Sequence, residues 1–134
     1  MGVRTVILLD THVLVWAVSD SRILSRTAAS AIRRARRQDG IAISSISIWE
    51  LAYLFARGRI VGHGSIEASL GLLLENVVIR PITPEIAALA TQFPDNYPRD
   101  PADRIIGGTA RAEGMVLITR DENIRRSPLL KTLW

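Results

Sequence analysis

Five acidic residues are spaced along the chain in a way that suits metal chemistry. Asp100 and Asp103 stand one helical turn apart at the start of a predicted helix, and Asp121 follows the next apolar run. Asp10 follows the first apolar run, and Glu50 lies near the start of another predicted helix. Carboxylate oxygens are the ligands that magnesium and manganese prefer. The five acids therefore indicate an acidic pocket that holds a divalent cation.

Each of these acids also has a purely structural interpretation. Glu50 follows Ser47 with the spacing of a capping box, in which the glutamate bonds back to the serine backbone. Asp100 is a good N-cap, Asp103 suits the helix dipole, and Asp121 can shape a turn. Taken together, however, four or five carboxylates on one edge repel one another and raise their pKa values. A divalent cation would relieve that repulsion.

The composition narrows the kinds of site that the chain can build. Its 134 residues fit one domain, and 48% apolar against 22% charged residues speaks against disorder. The absence of cysteine excludes disulfides and thiolate metal sites. With only two histidines, a His-rich zinc site is disfavoured, so the expected ligands are oxygens and the expected ions are Mg²⁺ or Mn²⁺.

The charge and the apolar runs bear on partners and location. Seventeen basic and thirteen acidic residues give a net charge of +4, which is compatible with a nucleic-acid partner. The apolar run at residues 6–9 is too short for the core of a signal peptide, and no run reaches the length of a membrane helix. We therefore expect a cytoplasmic protein with no membrane partner.

Strand-like and helix-like segments alternate along the chain. Buried strands are predicted at 3–9, 41–43, 77–79 and 115–119, with an edge strand at 131–134. Helices are predicted at 12–18, 26–38, 47–57, 66–75, 85–92 and 101–113. The alternation predicts one α/β domain over 1–134, with a mainly parallel sheet of four to five strands and helices on both faces. Residues 45–75 are expected to form an inserted helical hairpin that stands off the sheet.

The alternation also predicts where the acids meet. Catalytic groups in parallel sheets gather at the carboxyl ends of the strands. Asp10 follows the first predicted strand and Asp121 the fourth, while Glu50 and Asp100 lie near helix starts. All of these positions belong to the same edge of the sheet.

Three segments carry a family resemblance that spans nearly the whole chain. They are ILLDTHVLVWAV, SSISIWELAYLFARGRI and RDPADRIIGGTARAEGMVLITRDENI, in that order. The sequence resembles PIN-domain ribonucleases, and closely resembles the toxin half of VapBC-type toxin–antitoxin pairs. The resemblance implies a three-layer α/β/α fold and a Mg²⁺- or Mn²⁺-dependent endoribonuclease. It also implies an RNA substrate, a cognate antitoxin and a homodimer.

The resemblance assigns roles to individual acids. Asp10, Glu50, Asp103 and Asp121 match the four acidic positions of the family. Asp10 and Asp103 are then the main metal ligands, while Glu50 and Asp121 orient waters or a second ion. Asp100 belongs to a subgroup with an extra acid before the proline, and we rank it below the others because N-capping explains it well.

Residues that flank the acids are candidates for holding the substrate phosphate. Arg99, Arg104 and Arg120 stand beside acids, and arginine pairs well with phosphate. Thr11 and Thr119 offer further hydroxyl contacts. By contrast, the arginines at 33–37 are expected to form a solvated helix end in preference to an RNA contact. The three tryptophans at 16, 49 and 134 are expected in the core or an interface in preference to serving as platforms for base stacking. His12 is expected to serve as a polar residue at a helix start.

The chain departs from the family at Gly107 and Gly108, where alanines are usual. Mid-helix glycines cost about 1 kcal/mol each relative to alanine. We expect the compensation to be a closer approach of this helix to the sheet.

Other protein classes with acidic pockets fit less well. Receiver domains generally need a lysine at the end of a late strand, and the sole lysine, Lys131, lies in the last four residues. The P-loop pattern is absent, and the segment Asp10-Thr11-His12 lacks the second aspartate of haloacid-dehalogenase-type phosphatases. A non-catalytic module that uses its acidic pocket to bind a basic peptide or RNA remains as the alternative.

Overall fold

A computed structural model describes residues 6–134 and contains a five-stranded sheet. The strands are β1 (Ile7–Leu9), β2 (Ile41–Ser44), β3 (Val77–Arg80), β4 (Leu117–Ile118) and β5 (Thr132–Leu133). Their order is β3-β2-β1-β4-β5, and each neighbouring pair is parallel. The predicted parallel sheet and its C-terminal edge strand are therefore confirmed. Residues 3–5 of the first predicted strand lie outside the described residues.

Helices connect the strands. They are α1 (Thr11–Ser19), α2 (Arg26–Arg37), α3 (Ser45–Ala56), α4 (Ile66–Leu73), α5 (Pro84–Ala90), α6 (Pro101–Glu113) and α7 (Glu122–Arg125), with a 3₁₀ turn at Ser21–Ile23. None of the helices within residues 6–134 combines the length and the apolar character that crossing a membrane requires.

Apolar side chains cover both faces of the sheet, because its strands carry unbroken apolar runs. In β1, Ile7 and Leu9 pack into one cluster with α1 to α4, whereas Leu8 packs into a second cluster with α6 and α7. The result is the expected three-layer α/β/α arrangement. Because Leu51 of α3 and Leu70 of α4 join the first cluster, the helical hairpin packs on the sheet instead of standing off it.

Most predicted helix ends are confirmed by their caps. The Ser25 hydroxyl accepts from Ala28 N–H at 3.0 Å, as expected of an N-cap, and Gly114 ends α6 with a φ of 64°. The prediction that Ser47 opens α3 is wrong. The helix begins at Ser45 because the Ser44 hydroxyl accepts from Ile46 N–H, at 3.3 Å.

The two glycines of α6 allow a close approach, but not to the sheet. A Cβ on Gly107 would collide with the Tyr97 hydroxyl and would lie 2.8 Å from the Phe93 ring. A Cβ on Gly108 would lie 2.7 Å from the backbone oxygen of Ile86 in α5. The expectation of closer helix–sheet packing was therefore wrong, because α5 and the loop that follows it occupy the space beside the glycines.

Candidate active site

Asp10 is held at the carboxyl end of β1 by hydrogen bonds of both its backbone and its side chain. Its backbone N–H donates to the Ile118 carbonyl of β4 at 3.0 Å. Its carboxylate caps α1 by accepting from Thr11 N–H at 2.9 Å, and its second oxygen accepts from the Thr119 hydroxyl at 2.8 Å. With both oxygens bonded, the carboxylate has a defined orientation at the edge of the sheet.

Glu50 belongs to a buried chain of hydroxyl groups. The Thr11 hydroxyl donates to Oε1 of Glu50 at 2.5 Å and also lies 2.8 Å from the Ser47 hydroxyl. Because Thr11 has one hydroxyl proton and gives it to Glu50, Ser47 must be the donor to Thr11. Thr11 and Ser47 are both buried. The capping-box interpretation of Glu50 is therefore wrong, since a tertiary contact orients its carboxylate.

Asp100 and Asp103 lie at the start of α6. The Asp100 carboxylate accepts from Ala102 N–H at 2.8 Å, so it does cap the helix. Asp103 is half-buried one turn later, and its backbone carbonyl accepts from the Tyr97 hydroxyl at 3.0 Å. Burial and the adjacent Asp103 carboxylate raise the pKa of Tyr97, which keeps its hydroxyl protonated as a donor.

Asp121 caps the short helix α7. One of its oxygens accepts from the backbone N–H groups of Asn123 at 2.8 Å and Ile124 at 3.0 Å. Its own N–H donates to the Thr119 hydroxyl at 3.2 Å, so Thr119 contacts both Asp10 and Asp121. The helix itself was not predicted because four residues are too few to show a periodicity.

The pKa values show that the acids share one electrostatic environment. Burial, followed by the charges of the other four acids, raises the pKa of Asp103 to about 7. Burial also raises the pKa of Asp10, against the opposing hydrogen bond from Thr119. Burial and then the Asp10 and Asp100 charges raise the pKa of Glu50, although the Thr11 hydrogen bond opposes them. The structure thus brings the five predicted acids to one edge of the sheet.

Among the described residues, no lysine or arginine forms an ion pair with this cluster. Ion pairs between described residues include Arg22–Asp20, Arg80–Glu113 and Arg126–Glu122, none of which includes the five acids. Within residues 6–134, no group of three acidic or histidine side chains lies close enough together to hold a metal ion. An open set of oxygen donors with excess negative charge fits a divalent cation that retains several waters, as Mg²⁺ does.

The three candidate arginines differ in their surroundings. Arg99 and Arg120 are exposed, and the Arg120 guanidinium lies 5.7 Å from the Trp16 ring centroid. Arg104 is half-buried and donates to the Pro98 carbonyl at 2.9 Å and to the Phe93 carbonyl at 3.5 Å. Arg104 therefore fastens the loop before α6, whereas Arg99 and Arg120 present their charges to solvent.

Two residues that support the site were not predicted from the sequence. Ser47 orients Thr11, and its position three residues before Glu50 was the available signal, although it favoured a cap. Tyr97 supports the Asp103 backbone, for which the sequence offers no comparable signal. His12 is exposed, and its charge opposes the burial that raises the pKa values of Asp10 and Glu50.

The tryptophans fall into two groups. Trp16 and Trp134 lie edge to face at 6.0 Å and pack against the first core cluster, as expected. Trp49 does not lie in the core, contrary to one of the two expected locations, because 64% of its surface is exposed. Its indole stacks on Tyr53 instead.

Comparison with known proteins places this geometry in a family. Residues 7–128 match the PIN domain. The chain is 39% identical to Ribonuclease VapC22 of Mycobacterium tuberculosis over 132 residues, which cover 97% of this chain and 99% of that protein.

Solved structures show the same fold at low sequence identity. DNA-bound VapBC from Salmonella typhimurium aligns with a TM-score of 0.73 and 18% identity, over 96% of this chain and 97% of that one. VapBC2 from Rickettsia felis, bound to a promoter DNA fragment, aligns with a TM-score of 0.70 and 18% identity, over 96% and 98%. A toxin–antitoxin complex from Klebsiella pneumoniae aligns with a TM-score of 0.68 and 23% identity, over 96% of each chain. The PIN-domain match covers residues 7–128, and the similarity to Ribonuclease VapC22 extends over nearly the full length. The chain therefore belongs to the PIN-domain family.

Proposed function

We propose that this chain is a metal-dependent endoribonuclease and the toxin of a toxin–antitoxin pair. The observation that carries the proposal is the grouping of Asp103 with four other acids, whose charges add to burial in raising its pKa to about 7, while none of the five forms an ion pair with a described lysine or arginine. A carboxylate cluster of this kind is unfavourable without a positive ion. The similarity to Ribonuclease VapC22 supports RNA as the substrate class.

Asp10 and Asp103 are the proposed metal ligands, with Glu50 and Asp121 as secondary ligands or as acceptors for waters. Mg²⁺ or Mn²⁺, when bound, would stabilise charge on the phosphate and lower the pKa of a bound water. The hydrogen bonds from Thr119 to Asp10 and from Thr11 to Glu50 hold the carboxylates in place before any ion arrives. Pre-orientation of this kind reduces the reorganisation that the reaction requires.

The substrate phosphate is assigned first to Arg99 and Arg120, because both are exposed beside the acids. Arg104 stays a secondary candidate, since its guanidinium already donates to two loop carbonyls. The hydroxyls of Thr11 and Thr119 are buried and bonded to carboxylates, so we assign them to positioning and not to the phosphate.

The partners are proposed on the same basis. The similar structures include VapBC and toxin–antitoxin complexes, which supports a cognate antitoxin. A basic side chain of the antitoxin, inserted among the carboxylates, would inhibit by replacing the metal ion. A homodimer and a cytoplasmic location complete the proposal. Copurification with a small protein encoded by the adjacent gene supports this assignment, and failure to bind that protein contradicts it.

Cleavage of RNA is the direct test. The parent should cut single-stranded RNA with Mg²⁺ or Mn²⁺ and should lose activity in EDTA. Asp10→Asn and Asp103→Asn should each lower the cleavage rate by more than about 100-fold, beyond the loss typical of residues that only orient metal ligands. Glu67→Gln is the matched control, because this exposed acid lies in α4, outside the cluster. Unchanged cleavage by both asparagine variants refutes the assignment.

A second function fits the same cluster of five acids. A non-catalytic module would bind a basic peptide or RNA in the acidic pocket without cutting anything. Tight binding of such a partner, with no metal-dependent cleavage of any RNA tested, would favour this module over the nuclease.

A further inference from the structure

The outer face of α3 carries two large aromatic side chains that the core does not use. Trp49 is 64% exposed and Tyr53 is 50% exposed, and their rings stack with centroids 5.6 Å apart and an interplanar angle of 21°. The Arg57 guanidinium lies 5.6 Å from the centroid of the Tyr53 ring. The three side chains form a continuous row, which we call the α3 ladder.

The ladder begins one residue before Glu50 of the proposed active site. Trp49, Tyr53 and Arg57 are four residues apart, so they share one face of the helix. Glu50 follows Trp49 directly and points into the acidic cluster through its bond to Thr11. At 1.5 Å per residue, the ladder extends about 12 Å along the helix, a length that matches a few nucleotides.

The chemistry of the ladder suits nucleic-acid bases. Proteins that bind single strands combine aromatic side chains, on which bases stack, with positive charge that follows the phosphates. The ladder has both components, because Arg57 is exposed beside the aromatic pair. Arg59 adds a second exposed positive charge just beyond the helix. A surface for a second copy of the chain would not need the positive charges of Arg57 and Arg59 at its end.

We propose that the α3 ladder stacks bases of single-stranded RNA next to the phosphodiester held at the acidic cluster. The inference rests on the proposed function and adds substrate-binding residues to it. Trp49 and Tyr53 hold bases, and Arg57 holds a phosphate. The ladder therefore requires an unpaired RNA segment, because bases within a duplex are not free to stack on protein.

The test measures binding separately from cleavage. All proteins carry Asp103→Asn, and fluorescence anisotropy in Mg²⁺ compares a labelled single-stranded RNA with an oligomer of equal length that lacks bases. Trp49→Ala and Tyr53→Ala should each weaken binding of the RNA by about fivefold or more, as expected for the loss of base stacking. Neither should change binding of the abasic oligomer by more than about twofold. Trp49→Phe, which keeps an aromatic ring, should restore most of the affinity.

Arginine variants give a matched comparison. Arg57→Ala should weaken binding of both oligomers, since both carry phosphates, whereas Arg59→Ala, outside the ladder, should do so less. Equal losses for the two oligomers with Trp49→Ala overturn the base-stacking inference. So does a change from dimer to monomer, by light scattering, without a base-dependent loss of affinity, because the ladder would then be a self-association surface. If the parent chain cleaves RNA but Trp49→Ala binds normally, the ladder fails while the nuclease assignment stands.

Discussion

The hydroxyl of Thr119 donates a 2.8 Å hydrogen bond to Oδ2 of Asp10, 109 positions earlier in the chain. The bond joins the carboxyl ends of β1 and β4, which pair in parallel. Thr119 is fully buried, and the same hydroxyl accepts from Asp121 N–H. One side chain therefore sets the positions of two acids of the proposed active site.

Replacing Thr119 with valine should weaken both the site and the fold. Thr119→Val keeps the shape but removes a hydrogen bond to a charged group, so the free energy of unfolding should fall by about 1–3 kcal/mol. Loss of orientation at Asp10 should lower RNA cleavage by about 10-fold or more. Chemical denaturation and single-turnover cleavage measure the two effects.

Thr109→Val is the matched control. Thr109 is also buried, but its hydroxyl donates to the Ile105 carbonyl within α6. This variant should lose about 1 kcal/mol or less of stability and keep its cleavage rate. Equal activity losses in the two valine variants would mean that Thr119 acts only through stability.

The change in stability of the metal-free protein with pH should depend on Asp103. Its pKa of about 7 exceeds the ordinary aspartate value of about 3.9, so between these limits the folded state keeps a proton that the unfolded state has lost. The stabilisation is complete below about pH 4 and is lost as the pH rises through about 7. In EDTA, Tm should therefore fall less steeply with pH for Asp103→Asn than for the parent.

Binding of a metal ion should stabilise the folded protein at the pH values where ionised Asp103 destabilises it. Mg²⁺ or Mn²⁺ that binds only the folded state raises Tm by mass action. At about pH 8 the rise should be larger for the parent than for Asp103→Asn, because the variant lacks a proposed ligand. Parallel pH profiles in EDTA, together with equal metal-induced shifts, would show that Asp103 does not contribute to the ion site.

The two candidate roles of Asp100, as a helix cap and as a metal ligand, can be separated by substitution. Asp100→Asn keeps an oxygen that can accept from Ala102 N–H, whereas Asp100→Ala loses it and should cost about 1 kcal/mol. If capping is its main role, Asp100→Asn should retain cleavage within a small factor of the parent, unlike Asp103→Asn. A large loss of cleavage in Asp100→Asn, with Tm unchanged, would instead make Asp100 a ligand.

Two helical glycines should respond in opposite ways to alanine. Gly107→Ala places a Cβ against the Tyr97 hydroxyl and the Phe93 ring, so overpacking should cost about 1–3 kcal/mol and outweigh the gain in helix propensity. Gly71 in α4 has no such neighbour within 4 Å, so Gly71→Ala should stabilise by up to about 1 kcal/mol. Thermal denaturation of both variants checks the sign, and stabilisation by Gly107→Ala would contradict the described packing.

The local elements of the fold were predictable because their causes are local. Short apolar runs flanked by caps defined the strands, and Ser25, Asp100 and Gly114 marked helix ends that the structure retains. The acids were visible for the same reason, since each follows a strand or starts a helix. Their meeting at one edge then followed from the parallel alternation of strands and helices.

Where the sequence allowed two local structures for the same segment, tertiary contacts determined which one formed. Ser44 and Ser47 are both suitable N-caps for α3, and the capping-box spacing favoured Ser47. In the fold Ser44 takes the cap, because the Ser47 hydroxyl is directed toward Thr11, a residue 36 positions away. The close neighbour of Gly107 was wrongly predicted to be the sheet, since a glycine indicates that something approaches closely but does not indicate what it is.

By itself, the sequence determined the alternation of elements, the caps and the acidic residues, because these depend on neighbours within a few positions. The tertiary structure alone decided the hydrogen bonds that orient the carboxylates, the burial that contributes most to the raised pKa of Asp103, and the exposure of Trp49. These properties depend on burial and on charges contributed by distant segments, and so they arise only when the chain is folded.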